Sequence, residues 1–216
     1  MDYNNISRFV KIKNVKKIKM NSKVYNLKCQ PYDYFIANNV LVHNCDSKYA
    51  KEGKEMTTKD IIDLIDNNCQ NVTITGGEPL LQPEIEDLVK ELTHQGKTIH
   101  IETNGTIFRP LIIGFCTFIV SPKPDFLNPR YLDVLRKWSQ HATFKFVIRD
   151  RKDFDEALRL CSLIDVKDNV YFMPEGVKEE DIKPKLLQLV EWVKEIGYGR
   201  VTPRLQIYLF GNARGT

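Results

Sequence analysis

From residue 57 onward the sequence alternates short β-type runs with amphipathic helical runs, and this alternation is the feature that most constrains the fold. Strands are predicted at 71–77, 98–105, 117–123, 143–150 and 169–176. The first helix is predicted to be capped by Thr57 and Thr58 and to bury Ile61, Leu64 and Ile65. Later helices are predicted from apolar spacing that begins at Ile85, Phe154 and Leu186. Repeated β–α units predict an α/β fold with a parallel sheet or barrel.

Four loops after these predicted strands have a similar composition. They are TGGEP (75–79), ETNGT (102–106), SPKPD (121–125) and MPEG (173–176). Any one of them could be ordinary turn chemistry. In a parallel sheet, however, the carboxyl ends of the strands meet at one rim, where functional loops are found. Four such loops therefore predict a site at that rim.

Residues 1–44 have a different character and are predicted to be all-β. They alternate apolar with basic residues, and Asn38-Asn39 suits a tight turn between two short strands. This segment holds eight Lys and Arg residues against Asp2 and Asp33, so its charge is +6, whereas the chain as a whole carries +4. Such an arm can be a solvated strand edge or can bind an acidic partner, with nucleic acid the weaker possibility.

The apolar runs and the cysteines indicate the cellular compartment in which the protein is expected. No apolar run is long enough for a transmembrane helix, and the first residues lack the apolar stretch of a signal peptide, so a cytoplasmic protein is expected. The five cysteines are scattered and form no C-x-x-C pair, which favours reduced thiols over disulfides. Those after Cys45 lie in apolar periodic segments and are predicted to be buried.

The part of the chain from residue 45 onward resembles the 7-carboxy-7-deazaguanine synthase family of radical S-adenosylmethionine enzymes. The resemblance rests on CDSKYA, ITGGEPLLQ, IETNGT, VSPK, FKFVI, PEG and the closing GNARGT, all in order. It implies an incomplete (β/α) partial barrel of the radical SAM type over residues 45–216, whereas the small all-β unit at 1–44 resembles an intein (HINT) fragment, as described below. It also implies conversion of 6-carboxy-5,6,7,8-tetrahydropterin to 7-carboxy-7-deazaguanine with loss of ammonia, in a pathway that modifies tRNA. The enzyme itself is not expected to bind nucleic acid or membrane.

The same resemblance implies roles for individual residues. Cys45 matches the third cysteine ligand of a [4Fe-4S] cluster, and Ser47 matches a hydroxyl that binds Mg²⁺, which prefers oxygen ligands. Thr75 and Thr216 match substrate contacts. The residues implied at the S-adenosylmethionine site are Asp46, Gly77, Ser121, Pro122 and Lys123. Glu102, Thr103 and Asn104 are further candidates on the same rim.

One departure from that family stands directly ahead of Cys45. The family carries its cluster on C-x-x-x-C-x-x-C, but here Val42, His43 and Asn44 occupy the place of the expected residues, and Cys29 has the wrong spacing. This chain alone is therefore not expected to bind the usual cluster.

VYNLKCQPYDYFIANNVLVHN followed by Cys45 resembles the carboxy-terminal splicing block of inteins. The resemblance implies that Cys45 is the splicing nucleophile, that Asn44 cyclises to cleave the chain, and that His43 assists that cleavage. Asp33 stands where the intein family often has histidine.

A split-intein arrangement follows as a hypothesis. A separate polypeptide, acidic in its intein half, would bring the start of the synthase and join it to Cys45. After joining, the synthase family implies a homodimer. Two alternatives stay open: another radical SAM enzyme such as a glycyl-radical activase, which shares GGEP, or an inactive truncated remnant.

Overall fold

The strands fall into two groups in the computed structural model, which describes four short strands between residues 28 and 42 together with residues 56–76, 78–123 and 128–211. The first group has two antiparallel pairs: β1 (Lys28–Cys29) with β2 (Tyr32–Asp33), and β3 (Phe35–Ala37) with β4 (Val40–Val42). The second is a six-stranded parallel sheet of β5 (Asn71–Ile74), β6 (Thr98–Thr103), β7 (Cys116–Val120), β8 (Ala142–Ile148), β9 (Val170–Pro174) and β10 (Arg200–Val201).

The antiparallel pairing expected on either side of Asn38-Asn39 is present. Ala37 of β3 is paired with Val40 of β4. The two asparagines themselves lie outside the described residues. The longer strand expected ahead of residue 24 and the residues from His43 to Glu55 lie outside the described part of the chain.

Each strand of the parallel sheet pairs with its neighbour in the chain. The order runs from β5 at one edge to β10 at the other, and every pairing is parallel. The helices of the described residues are α1 (Thr58–Asp63), α2 (Ile85–His94), α3 (Pro129–Trp138), α4 (Arg151–Ile164), α5 (Glu179–Ile196) and α6 (Leu205–Phe210). This arrangement confirms the predicted α/β class and is consistent with a partial barrel. None of these helices is long and apolar enough to cross a membrane.

The first predicted helix is confirmed, but its apolar face is corrected. Thr57 is the N-cap, and it exchanges hydrogen bonds with Asp60 in a capping box. Ile61, Ile62 and Ile65 pack against the core, whereas Leu64 is 61% exposed. The α-helix ends at Asp63, so Leu64 caps it and does not continue its buried stripe.

Helix α3 was not predicted from the sequence. Its start nevertheless carries a recognisable signal, because Asn128 accepts a hydrogen bond from the Arg130 N–H and Pro129 occupies the first helical position. Its buried residues Leu135 and Trp138 are few, and basic residues surround them. Tyr131, Leu132 and Val134 also pack against the core, so the segment has the spacing of an amphipathic helix and could have been predicted.

The two faces of the parallel sheet differ in chemistry. One face carries apolar residues, including Ile101, Phe118, Phe144 and Phe172, and forms the core with buried side chains of α2, α3, α4 and α5. Side chains alternate between faces along a strand. The opposite face therefore carries the intervening residues, among which are Thr73, His100, Glu102, Thr117, Thr143, Lys145 and Tyr171. This face, called the polar face below, also carries Ile119, Val147 and Met173, so it mixes polar and apolar side chains, whereas parallel sheets are ordinarily apolar on both faces.

Gly105 supplies a test of how tightly the ETNG turn is packed. Its φ is +77°, and a Cβ would lie 2.7 Å from Val120 Cγ1 and 2.8 Å from Leu135 Cδ2, both of which belong to fully buried residues. Gly96 has a nearly identical φ of +72° and nothing within 4 Å of such a Cβ. We expect Gly96→Ala to lower the free energy of unfolding by about 1 kcal/mol, from backbone strain alone. Gly105→Ala should lower it by roughly 1–3 kcal/mol more, from overpacking.

Urea denaturation of both variants beside the unsubstituted chain measures this difference. Equal losses for the two glycines would contradict the close packing of the ETNG turn against β7 and α3.

Candidate active site

The carboxyl ends of the parallel strands meet at one rim, as the sequence predicted. The loops that begin at Thr75, Asn104, Ser121 and Glu175 follow β5, β6, β7 and β9 in that order. Thr75, Glu102 and Thr103 are buried at this rim, while Ser121 is half-buried. The sheet therefore gathers four of the predicted loops on one side of the molecule.

The buried carboxylate of Glu78 links two of these loops. Its Oε1 accepts hydrogen bonds from Thr103 Oγ1 at 2.6 Å and from the Leu80 N–H at 3.2 Å. Its Oε2 accepts from the Asn104 N–H at 2.7 Å. The same side chain is the N-cap of a short 3-10 helix at Pro79–Leu81. Glu78 thus fixes the GGEP loop to the end of β6.

Burial raises the pKa of the Glu78 carboxyl above its ordinary value, although its three hydrogen bonds and the charge of Lys123 act in the opposite direction. Desolvation disfavours the charged form more than these partners favour it. A carboxylate with a raised pKa at a predicted functional rim is a common property of active sites. Here the hydrogen bonds also give Glu78 a structural role, because all its partners belong to the protein.

Tyr131 links the second loop to the third. From α3, its hydroxyl donates a very short hydrogen bond to the Asn104 carbonyl oxygen and accepts one from the Lys123 N–H at 3.1 Å. Ser121 adds to the same assembly, since its N–H donates to the Thr103 carbonyl and its hydroxyl donates to the Lys145 carbonyl at 3.0 Å. The SPK loop is therefore held against both β6 and β8.

A nearly buried ion pair crosses the polar face of the sheet below these loops. Lys145 Nζ lies 2.8 Å from Glu102 Oε1, and the two side chains are only 15% and 9% exposed. Withdrawing two charges from water is costly unless they are well paired. Because Glu102 and Lys145 lie on strands separated by β7, the pair spans the middle of the sheet and faces away from the core helices.

Two cavities lie near this sheet, and only one adjoins the predicted site. A cleft of about 210 Å³ runs beside Ser121 and Lys123 and reaches Arg149, Asp153 and Glu175. A wider depression of about 1050 Å³ surrounds residues 62–68 together with Gln95 and Lys97, on the side where β6 begins. It lies away from the rim that carries the loops.

The structure places the predicted site residues as follows. Thr75, Ser121, Pro122 and Lys123 lie on the rim, together with the weaker candidates Glu102, Thr103 and Asn104. The predictions for His43, Asn44, Cys45, Asp46, Ser47, Gly77 and Thr216 fall outside the described residues. Tyr131 and Lys145 were not predicted. Their contacts depend on which strands and helices meet, although an isolated lysine between apolar residues in FKFVI was a visible signal.

The three later cysteines are buried or half-buried, as expected. Cys69 and Cys161 are buried, Cys116 is half-buried, and all three are free thiols. Burial raises the pKa of both Cys116 and Cys161 to about 12. Metal ligation requires a thiolate, so these two side chains are unsuited to hold a cluster.

Comparison with known proteins identifies the class. The family model described as the radical SAM superfamily matches residues 29–183. The chain belongs to the radical SAM superfamily.

Curated relatives carry one name, 7-carboxy-7-deazaguanine synthase. That of Rhodopirellula baltica is 29% identical over 198 residues, covering 80% of this chain and 75% of the relative. That of Thermoplasma acidophilum is 29% identical over 185 residues, covering 82% and 86%. That of Hyperthermus butylicus is 30% identical over 161 residues, covering 67% and 68%.

Solved structures agree on the fold. QueE from Escherichia coli superposes with a TM-score of 0.51 at 19% identity, over 69% of this chain and 64% of that one. Streptococcus suis SuiB bound to the precursor peptide SuiA gives 0.54 at 13% identity, over 82% and 47%. The chain thus spans less than two thirds of either structure, and at these identities the likeness concerns the fold alone.

Membership in the superfamily implies a [4Fe-4S] cluster and S-adenosylmethionine. The described residues do not fit the cluster, because no three His, Cys, Asp or Glu side chains within them are grouped to hold a metal. The polar groups of the rim loops cited above hydrogen bond to one another, so they fix the SPK segment in place. Cluster ligation therefore depends on residues outside the described ranges.

The raised pKa of Glu78 gives a testable pH dependence. Since its folded-state pKa lies above its unfolded value, the folded chain binds this proton more tightly, and stability is lost as pH rises through the folded pKa. Glu78→Gln removes this titrating carboxyl. As pH falls from about 7 to about 5, we expect the unfolding free energy of the unsubstituted chain to rise relative to that of the variant.

Thermal or urea unfolding across this pH range measures the shift, with exposed Glu84→Gln as the matched control. A shift in the opposite direction would mean that the hydrogen bonds dominate and lower the pKa.

Proposed function

We propose that residues 45–216 are the main part of a 7-carboxy-7-deazaguanine synthase. The reaction would convert 6-carboxy-5,6,7,8-tetrahydropterin to 7-carboxy-7-deazaguanine with loss of ammonia. The name shared by the curated relatives supports this assignment. Three of them align over 79–82% of the chain.

The rim supports a polar, ring-shaped substrate. Thr75 is buried at the end of β5, and the Glu102–Lys145 pair lies on the polar face below the loops. A pterin presents amide and amino groups that need hydrogen-bond partners when buried. We assign Thr75 and Thr216 to the substrate and Ser47 to Mg²⁺.

The SPK segment supports the cofactor assignment. Ser121, Pro122 and Lys123 are held on two sides, by Tyr131 and by β6 and β8, so their backbone is fixed before any ligand binds. Such preorganisation lowers the cost of binding. We assign these residues, with Asp46 and Gly77, to S-adenosylmethionine, which together with the cluster supplies the radical chemistry.

The cluster needs two thiolates besides Cys45. Cys69 and Cys161 are buried and Cys116 is half-buried in β7. Cys29 does not have the spacing that C-x-x-x-C-x-x-C requires. We therefore propose that the two missing cysteines arrive with a segment that protein splicing joins to Cys45. Without that segment the rim lacks its metal centre.

The residues at the junction suit such a splicing step. The incoming acyl group is carried as an ester or thioester on the nucleophile of the partner intein half; the Cys45 thiol attacks it and that nucleophile leaves. Asn44 then closes its side-chain amide on its own carbonyl, which breaks the bond to Cys45. His43 donates a proton to the departing amine. The acyl group finally moves from the Cys45 sulfur to that amine, leaving a peptide bond. The charge of +6 on residues 1–44 favours an acidic partner.

A fusion that bypasses splicing tests the synthase assignment. A strand and loop bearing two cysteines would replace residues 1–44 so that C-x-x-x-C-x-x-C ends at Cys45. After anaerobic reconstitution with iron, sulfide, S-adenosylmethionine, Mg²⁺ and a reductant, we expect conversion of the carboxylated pterin. Mass spectrometry would detect 7-carboxy-7-deazaguanine.

Two cysteine variants control this experiment. Cys45→Ala should lose both the cluster absorbance and the product, whereas Cys116→Ala should retain both, because Cys116 is half-buried in β7. Cleavage of S-adenosylmethionine without deazaguanine product would contradict the synthase assignment while leaving the superfamily assignment intact.

A further inference from the structure

Arg204 is a buried cation at the rim of the sheet. It follows β10 and Pro203, and only 9% of its surface is exposed. Within the described ranges it is the one Lys or Arg residue that counts as buried. Its position beside the end of β9 puts it on the same side of the molecule as the four loops.

The guanidinium of Arg204 is incompletely partnered. Nη1 donates to the Gly176 carbonyl oxygen at 2.6 Å, whereas Nε is buried and has no acceptor among the described residues. The neighbouring acid, Glu175, is engaged instead by Lys185 Nζ at 2.9 Å. None of the ion pairs formed within the described ranges includes Arg204.

This arrangement is unfavourable as it stands. Arginine cannot lose its proton in a protein, so burial cannot be relieved by neutralisation. Burying a charge without a partner costs free energy, and a buried partner of opposite charge would recover much of it. A planar guanidinium with a free Nε–H is matched by the two oxygens of a carboxylate.

We propose that Arg204 binds a carboxylate at the rim between β9 and β10. The occupant that this geometry fits is the carboxylate of a small-molecule ligand, which would accept from the Nε–H of Arg204. The inference rests on the geometry of Arg204 and not on the proposed function, so a chain that fails to convert the pterin leaves it standing.

Arg200, which precedes Arg204 in the chain, provides a control. It also donates to a backbone carbonyl, that of Asp168 at 3.1 Å, and it lies over the Tyr171 ring at 5.5 Å. Unlike Arg204, which follows β10, it is exposed and is the first residue of that strand. Replacing either arginine by lysine keeps the positive charge and removes the planar guanidinium.

Nuclear magnetic resonance of the full chain tests the proposal. The arginine Nε–H signals of the ¹⁵N-labelled protein are followed while sodium formate, the smallest carboxylate, is added. Arg204→Lys and Arg200→Lys assign the two signals and keep the charge, so a folding failure of a neutral variant does not affect the result. A saturable shift of the Arg204 signal, with no saturable shift at Arg200, supports a ligand carboxylate site.

An Arg204 signal that does not shift, or that shifts without saturating as the Arg200 signal does, overturns the proposal. The affinity for formate measured on other resonances should fall about tenfold in Arg204→Lys, because one charge-assisted hydrogen bond is lost.

Discussion

The hydrogen bonds of Glu78 are the contacts on which the rest of the rim depends. One buried carboxylate fixes the GGEP loop to Thr103 and Asn104 at the end of β6. Asn104 in turn holds Tyr131, and Tyr131 holds Lys123. Three loops from three strands are therefore positioned by one continuous network, whose first member is charged and buried. Other arrangements of the loops would leave buried polar groups without hydrogen bonds, which is costly, so the network favours a single arrangement.

Much of the fold could be predicted from the sequence, because its strands and helices have regular apolar spacing. The strands around Ile101 and Phe118 are confirmed, and the loops after them lie on the predicted rim. Helix α3 was not predicted, although Asn128, Pro129 and the apolar spacing from Tyr131 to Trp138 indicate it. Leu64 was assigned to the core because its spacing fits a helix that in fact ends one residue earlier.

The site was less predictable, for a physical reason. Thr75, Ser121 and Lys123 could be placed from motifs, since each follows a strand directly. Tyr131 and Lys145 act through partners 27 and 43 residues away, and such contacts are set by the packing of α3 and the order of the strands. The junction at Asn44 and Cys45 lies outside the described residues, so its role stays a prediction from the sequence.

The central claim is that protein splicing joins to Cys45 a segment with two cysteines, which complete the cluster ligands beside a rim whose loops are already fixed. Mass spectrometry of the protein purified from its native source tests this most directly. The account predicts a species in which residues 1–44 are absent and a new segment containing two cysteines is joined to Cys45 through a peptide bond. Recovery of only the chain that still carries residues 1–44, with Asn44 bonded to Cys45, would contradict it.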